Sequence, residues 1–274
     1  KLLGRLFAVN ENSKLSVLSL SWGETMKRRM TPIFQDSFQK RYWRRIVLLS
    51  LLAIAVITGI WWWLQNRTDR PNEQQYPVLG AQISQEDGYQ DYQILKKEGL
   101  KFVYLKATEG ASYKDDNFDS NYSRAEGSGI SVGVYHFFSF DSSPEDQAQQ
   151  FIKSVGQDTG HLPIMVYLSY YNDYAQKPPA KAKTQRAIAR FVTLINQYYH
   201  QDCIIGGAPA LLKRYVPTKG TYPLWQTTQQ RPTVGTKNGF WQYTTASKIP
   251  GGRDDSEYQL AVFIGTPQQW QKLK

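Results

Sequence analysis

The stretch "LPIMVYLSYYND", Leu162 to Asp173, decides how the chain reads. Its apolar run has the length of a fully buried strand, and the polar, aromatic tail reads as a loop at that strand's end. Working outward from it, strands and amphipathic helices alternate. Upstream, "VLGAQIS" (78–84), "KFVYLKAT" (101–108) and "SVGVYHFFSF" (131–140) read as strands. Between and after them, "YQDYQILKKEG" (89–99), "DDNFDSNYSRAEGSG" (115–129) and "SPEDQAQQFIKSVGQ" (143–157) read as helices, the last opened by Ser143 with Pro144 in its first turn. Downstream come the long helical "AKAKTQRAIARFVTLINQYYHQ" (180–201) and the strands "CIIGGA" (203–208), "PLWQTT" (223–228) and "GFWQYTT" (239–245). Such alternation predicts an α/β fold with parallel strands and crossover helices, and the number of units favours a closed TIM-like (β/α) barrel over an open sheet. In barrels of that type the functional residues sit at the C-terminal ends of the strands.

The 274 residues are 41% hydrophobic and 20% charged, ordinary globular material for one large domain with additional segments. The formal charge of +10 is unevenly spread: residues 1–45 carry ten basic and three acidic side chains, and the remainder 23 basic and 20 acidic. The basic excess therefore belongs to the N-terminal segment rather than to a nucleic-acid-binding face, and no nucleic-acid role is expected. From Ile46 to Leu64 the chain reads "IVLLSLLAIAVITGIWWWL", nineteen residues without a charge. That is close to the roughly 20 needed to cross a bilayer as a helix. Basic runs precede it and Trp61, Trp62 and Trp63 end it, an arrangement that places the N-terminus in the cytoplasm and the rest outside. Cleavage as a signal peptide is the alternative, but the run is longer than a usual signal core and no small-x-small site follows it. The expected organisation is a basic cytoplasmic segment (1–45), one transmembrane helix (46–64), a polar linker (65–77) and the barrel (78–274). Met26 opens "MKRRM", which reads as a natural start, with residues 1–25 an upstream extension or a cytoplasmic tail.

The single cysteine, Cys203, excludes an internal disulfide and reads as a small buried hydrophobe. His136, His161 and His200 are distant in sequence, so no metal site and no cofactor are expected.

Several segments are similar, in order and spacing, to glycoside hydrolase family 25, the Chalaropsis-type lysozymes. They are "FVYLKATEGASYKDDNF" (102–118), "GVYHFFSF" (133–140), "QAQQFI" (147–152), "LPIMV" (162–166), "YPLW" (222–225) and "FWQYTTASKIPG" (240–251). The resemblance covers residues 78–270 and implies a modified α/β barrel that cleaves peptidoglycan between N-acetylmuramic acid and N-acetylglucosamine. The family's acidic positions fall on neutral residues here. Its first-strand aspartate aligns with Gln82, its Asp-x-Glu with Tyr167 and Ser169, and its late aspartate with Gln259 in "YQLAVF".

Glycoside cleavage needs a proton donor and an anionic partner, ordinarily a carboxylate pair roughly 5 to 10 Å apart. Serine, tyrosine and glutamine supply no proton at a tuned acidity. The resemblance therefore implies a pseudoenzyme whose groove, lined by Gln82, Tyr135, His136, Tyr167, Trp225, Trp241, Tyr243 and Gln259, holds glycan without cutting it. Two other readings stay open. One is an active muramidase that uses displaced acids (Glu109, Asp141 or Asp173) or Tyr167 as nucleophile; the other is a structural module that binds a cell-envelope protein. The simpler reading of Glu109 is a loop residue that pairs with Lys106 or caps backbone amides, of Asp141 and Asp173 solvated loop acids, and of His136 a buried hydrogen-bonded imidazole.

Overall fold

The computed structural model describes residues 35–65, 70–217, 222–232, 239–249 and 256–274. The chain divides into two compact units at the Gln65/Asn66 boundary.

Among the described residues, the first unit contains one helix, α1 (Gln35–Gln65). Its stretch Lys40–Trp61 has a mean hydropathy of 1.9 and is long and apolar enough to cross a membrane. The helix starts before the apolar run, so Lys40, Arg41, Arg44 and Arg45 lie on its opening turns rather than in a separate segment. Trp61 is exposed, while the side chains of Trp62 and Trp63, and residues 1–34, fall outside the described residues.

The second unit is a closed eight-stranded barrel. Its strands are β1 (Leu79–Ile83), β2 (Leu100–Glu109), β4 (Ser131–Phe137), β5 (Met165–Leu168), β6 (Ile204–Gly207), β7 (Leu224–Thr227), β8 (Phe240–Gln242) and β9 (Gln259–Phe263). A two-residue strand, β3 (Tyr113–Lys114), folds back on the end of β2. Pairing is parallel from β1 through β8 in the order β1-β2-β4-β5-β6-β7-β8. The circle closes through β9, antiparallel to both β8 and β1. This strand is what makes the barrel a modified one: β8 reaches β9 without a crossover helix among the described residues, so the chain must return in the opposite direction.

Helices α2 (Tyr92–Lys97), α3 (Phe118–Ser128), α4 (Pro144–Val155), α5 (Lys181–Tyr199) and α6 (Pro209–Tyr215) follow the parallel strands in turn. The predicted cap of α4 is present, with the Ser143 hydroxyl accepting from the Asp146 N–H at 3.1 Å. Two helices went unread in the sequence. Seven-residue α6 sits inside an apolar run too short to show periodicity, and α7 (Pro267–Leu273) is announced only by its capping box, Thr266 with Gln269. One boundary also moves. Tyr76, assigned to the linker, is buried and packs edge-on against Trp241 with ring centroids 5.7 Å apart, so the ordered barrel unit includes the end of that segment.

Strand alternation sorts the core into two sets. Outward side chains such as Val103, Val134, Val166 and Ile205 pack under the helices. Inward ones fill the barrel, with Phe102, Tyr104, Trp225 and Phe240 in mutual ring contact and Trp270 of α7 plugging the lower end against Phe102 and Phe263. Those rings fit because glycines face them. A Cβ on Gly80 would stand 2.4 Å from the Phe102 ring, and one on Gly133 would stand 2.6 Å from Tyr104.

Gly133→Ala is therefore expected to destabilise the barrel by about 1–3 kcal/mol through overpacking. Gly127→Ala, in open space on α3, should stabilise by about 0.5–1 kcal/mol. Urea unfolding of the two variants beside the parent checks the pair, and equal midpoints would contradict this account of the interior.

Candidate functional site: a neutral barrel mouth beside an open pocket

Above the aromatic plug, toward the C-terminal ends of the parallel strands, the inward positions are Gln82 (β1), Tyr135 (β4), Tyr167 (β5), Thr227 (β7), Gln242 (β8) and Gln259 (β9). Gln82 and Gln259 face each other across the β1–β9 pair. The side chains form a connected network. The amide oxygen of Gln242 accepts from Trp225 Nε1 at 2.8 Å and from Thr227 Oγ1 at 3.0 Å, and its Nε2 donates to Gln259 Oε1 at 3.1 Å. Because Thr227 gives its only proton to Gln242, the Tyr167 hydroxyl, 3.2 Å away, is the donor to Thr227. Tyr167 lies edge-on to Tyr135 and occupies space that Gly206 leaves open, where a Cβ would stand 2.8 Å from the Tyr167 ring.

Every member of this network is neutral. Burial holds the Tyr135 and Tyr167 phenols above their ordinary pKa, opposed in part by the Gln82 amide and the Thr227 hydroxyl respectively. Gln82 is only 3% exposed, and its Oε1 has no hydrogen-bond partner. Ser169, two residues beyond Tyr167, is half-buried and reaches only the Tyr170 carbonyl, at 3.5 Å.

Beside the network, at the ends of β1 and β2, lies an open pocket of about 490 Å³. Lys106, Glu109, Tyr113, Ser139 and Tyr171 contribute to its walls. Glu109 pairs with the Lys106 ammonium at 2.6 Å, as the simpler sequence reading expected. The same ammonium faces the Tyr113 and Phe137 rings at 5.6 and 5.3 Å. Buried Asp115 holds the adjoining turn, accepting from the Gln85 and Asn117 N–H groups, and burial raises its pKa.

Residues 81–252, more than half of the chain, match the family model for glycosyl hydrolases family 25. The chain belongs to that family. Among solved structures, the family 25 glycosyl hydrolase of Bacillus anthracis superposes with a TM-score of 0.67 at 26% identity, covering 74% of this chain and 95% of that one. The bacterial lysozyme of Streptomyces coelicolor superposes with a TM-score of 0.62 at 26% identity over 72% and 96% of the two chains. In sequence, Lysozyme M1 of Streptomyces globisporus is 41% identical over 80 residues, which is 29% of this chain and 27% of that protein. The chain thus spans about a quarter of that lysozyme's length.

Within this family 25 barrel, several predicted groove residues lie elsewhere. None of the eight lines the open pocket, because the Tyr167 ring and the amide network fill the axis that a groove would use. Trp225 is inward but belongs to the lower layer, fully buried and stacked on Phe240. Trp241 and Tyr243 point outward, opposite in parity to Phe240 and Gln242, and the Trp241 Nε1 donates to the Thr228 carbonyl at 2.7 Å. His136 also points outward. It is fully buried and stacked on Phe191 of α5, with Nε2 donating to Gln147 Oε1 at 3.0 Å and Nδ1 accepting from the Thr108 hydroxyl at 2.8 Å.

The displaced acids are similarly committed. Asp141 is exposed and accepts from Tyr171 at 2.8 Å and from Tyr174, and Asp173 is an exposed member of the Asn172–Ala175 turn. Sequence reading missed Thr227, Gln242 and Asp115. The signal for Gln242 was present, since it shares the inward parity of Phe240 two residues earlier. Among the described residues, no cluster of three His, Cys, Asp or Glu side chains is placed to hold a metal ion.

Burial lowers the His136 pKa from 6.5 to about 4. The unfolded chain then binds the extra proton first, so this contribution to stability is intact above pH 6.5 and is lost as the pH falls toward 4. Unfolding free energy should drop by about 2 kcal/mol between pH 7 and pH 5. The drop should shrink in His136→Gln, and a pH-independent parent would refute the buried neutral imidazole.

Proposed function

We propose that the chain is a membrane-anchored, extracytoplasmic family 25 domain that binds peptidoglycan without hydrolysing it. The observation that carries this reading is the neutral network Gln82–Tyr135–Tyr167–Thr227–Gln242–Gln259 at the barrel mouth, where glycoside cleavage would call for a carboxylate pair. The sequence resemblance aligns Gln82, Tyr167, Ser169 and Gln259 with the family's acids. The inward positions of Gln82 and Gln259 on the paired strands β1 and β9, and of Tyr167 on β5, support that alignment.

Glu109 and Asp115 do not replace the missing pair. The Glu109 carboxylate is tied to Lys106, and Asp115 is spent on backbone N–H groups. Tyr167 is a poor nucleophile, because burial favours its neutral phenol and its proton is given to Thr227. What the open pocket beside the mouth offers a glycan is recognition chemistry: the Tyr113 and Tyr171 rings in its wall suit sugar faces.

Lysozymes among the relatives support peptidoglycan as the polymer. The apolar stretch Lys40–Trp61, preceded by basic residues, supports one transmembrane anchor with a cytoplasmic N-terminus. Alkaline carbonate washing should leave the full chain in the membrane pellet, and its release would argue against an anchor.

The catalytic reading is tested with the full chain in detergent micelles on purified peptidoglycan, beside a variant carrying Gln82→Asp, Tyr167→Asp, Ser169→Glu and Gln259→Asp. The expected result is sedimentation with the polymer and no release of reducing ends by the parent. Turnover by the parent at a rate ordinary for lysozymes would overturn the pseudoenzyme reading. Absence of both turnover and sedimentation would favour an envelope protein as partner.

A further inference from the structure

The modest net charge of the barrel hides two opposed halves. Residues 78–173 carry fourteen acidic and seven basic side chains, whereas residues 174–253 carry one acidic and twelve basic. On the structure, six of those cations fall at two neighbouring places. Lys177, Lys181, Lys183 and Arg186 lie on and just before the start of α5, and Lys213 and Arg214 lie at the end of α6. The two helices touch there, the Gln185 amide donating to the Arg214 carbonyl at 3.3 Å. All six side chains are exposed, and among the described residues none is in an ion pair.

Helix stability does not account for this placement. The first turn of α5 has two lysines, no acid and no capping side chain at Ala180. Cations at that end oppose the helix dipole. A local rule broken without a local gain points to an external partner.

Packed aromatic rings join the basic flank to the wall of the open pocket. Tyr171, in that wall, stacks on Phe140 at 5.8 Å, and Phe140 contacts the Tyr215 ring of α6 at 5.9 Å. Tyr215 donates to the Pro179 carbonyl at 2.9 Å and lies 5.5 Å beneath the Arg214 guanidinium. Those contacts fix the position of the flank relative to the pocket wall.

We propose that the α5–α6 flank binds the carboxylates of the peptide stems of peptidoglycan, as a second contact for the polymer whose sugars meet the open pocket. The inference rests on the glycan reading above. Peptide stems put free carboxylates at intervals along an otherwise neutral glycan, and exposed lysines and arginines engage them through charge-assisted hydrogen bonds.

The test is co-sedimentation of the full chain, in nonionic detergent, with insoluble peptidoglycan. The parent is compared with a variant carrying Lys181→Gln, Lys183→Gln, Arg186→Gln and Lys213→Gln, whose exposed positions leave the core untouched. At low salt the variant should bind about tenfold more weakly. The difference should vanish at 1 M salt, where the screening length is about 3 Å, and on polymer whose stem carboxylates have been converted to amides with a carbodiimide and ammonia.

Equal binding of parent and variant to intact polymer overturns the proposal, as does equal binding of the parent to intact and amidated polymer. Stronger binding to polyphosphate or to phosphatidylglycerol vesicles, lost on the same four substitutions, also overturns it, by identifying a phosphate surface. If the parent ignores amidated polymer yet binds intact polymer through these four residues, the flank stands, and only the sugar contact at the open pocket is removed.

Discussion

The finite volume inside an eight-stranded barrel governs this structure. A barrel of that size has room for inward side chains and nothing more, so each inward position is chosen against its neighbours' bulk. Phe102, Tyr104, Trp225, Phe240 and Phe263 fill the lower interior, with Gly80 and Gly133 yielding the space that two of those rings need. At the mouth the same exchange is made between Tyr167 and Gly206. Once Tyr167 is housed there, the axis is closed, and the open pocket is displaced to the ends of β1 and β2 beside Lys106 and Glu109.

Neutrality at the mouth has its own logic. Amides and hydroxyls carry both donors and acceptors, so Tyr167, Thr227, Gln242 and Gln259 can be buried in a chain in which each proton has a destination. Carboxylates at the same spacing would repel one another and lose hydration, which raises their pKa values and costs stability. The amides and hydroxyls of this network carry no such tension. His136 belongs to the same economy of satisfied groups. It is locked between Thr108 and Gln147, and Gln147 in turn holds the backbone of Ser139 and Ser142 at the pocket wall.

Most of the architecture was legible in the residues. Alternating apolar runs marked the seven strands that pair in parallel, and Ser143-Pro144 marked the start of α4, because both signals are local. Elements whose reasons are not local were missed: β9 turns antiparallel only because the circle must close, and α6 is too short to show a period. Gln82, Tyr167 and Gln259 do converge inward, while His136, Trp241 and Tyr243 do not, since motif membership says nothing of strand parity. The charge reversal near residue 174 was present in the sequence as well, but a single sum over the barrel averaged it away.

The position of β1 has a mechanical meaning. It lies between two partners, parallel β2 and antiparallel β9, and it is the strand through which Pro77 enters the barrel. A pull applied at Pro77 and resisted by a ligand held at the far ends of the strands acts along the axis of β1. Its ladder bonds on both sides then share the load in shear instead of opening one after another. A domain tethered at that point can withstand tension along its own strands without unravelling from the end that bears it.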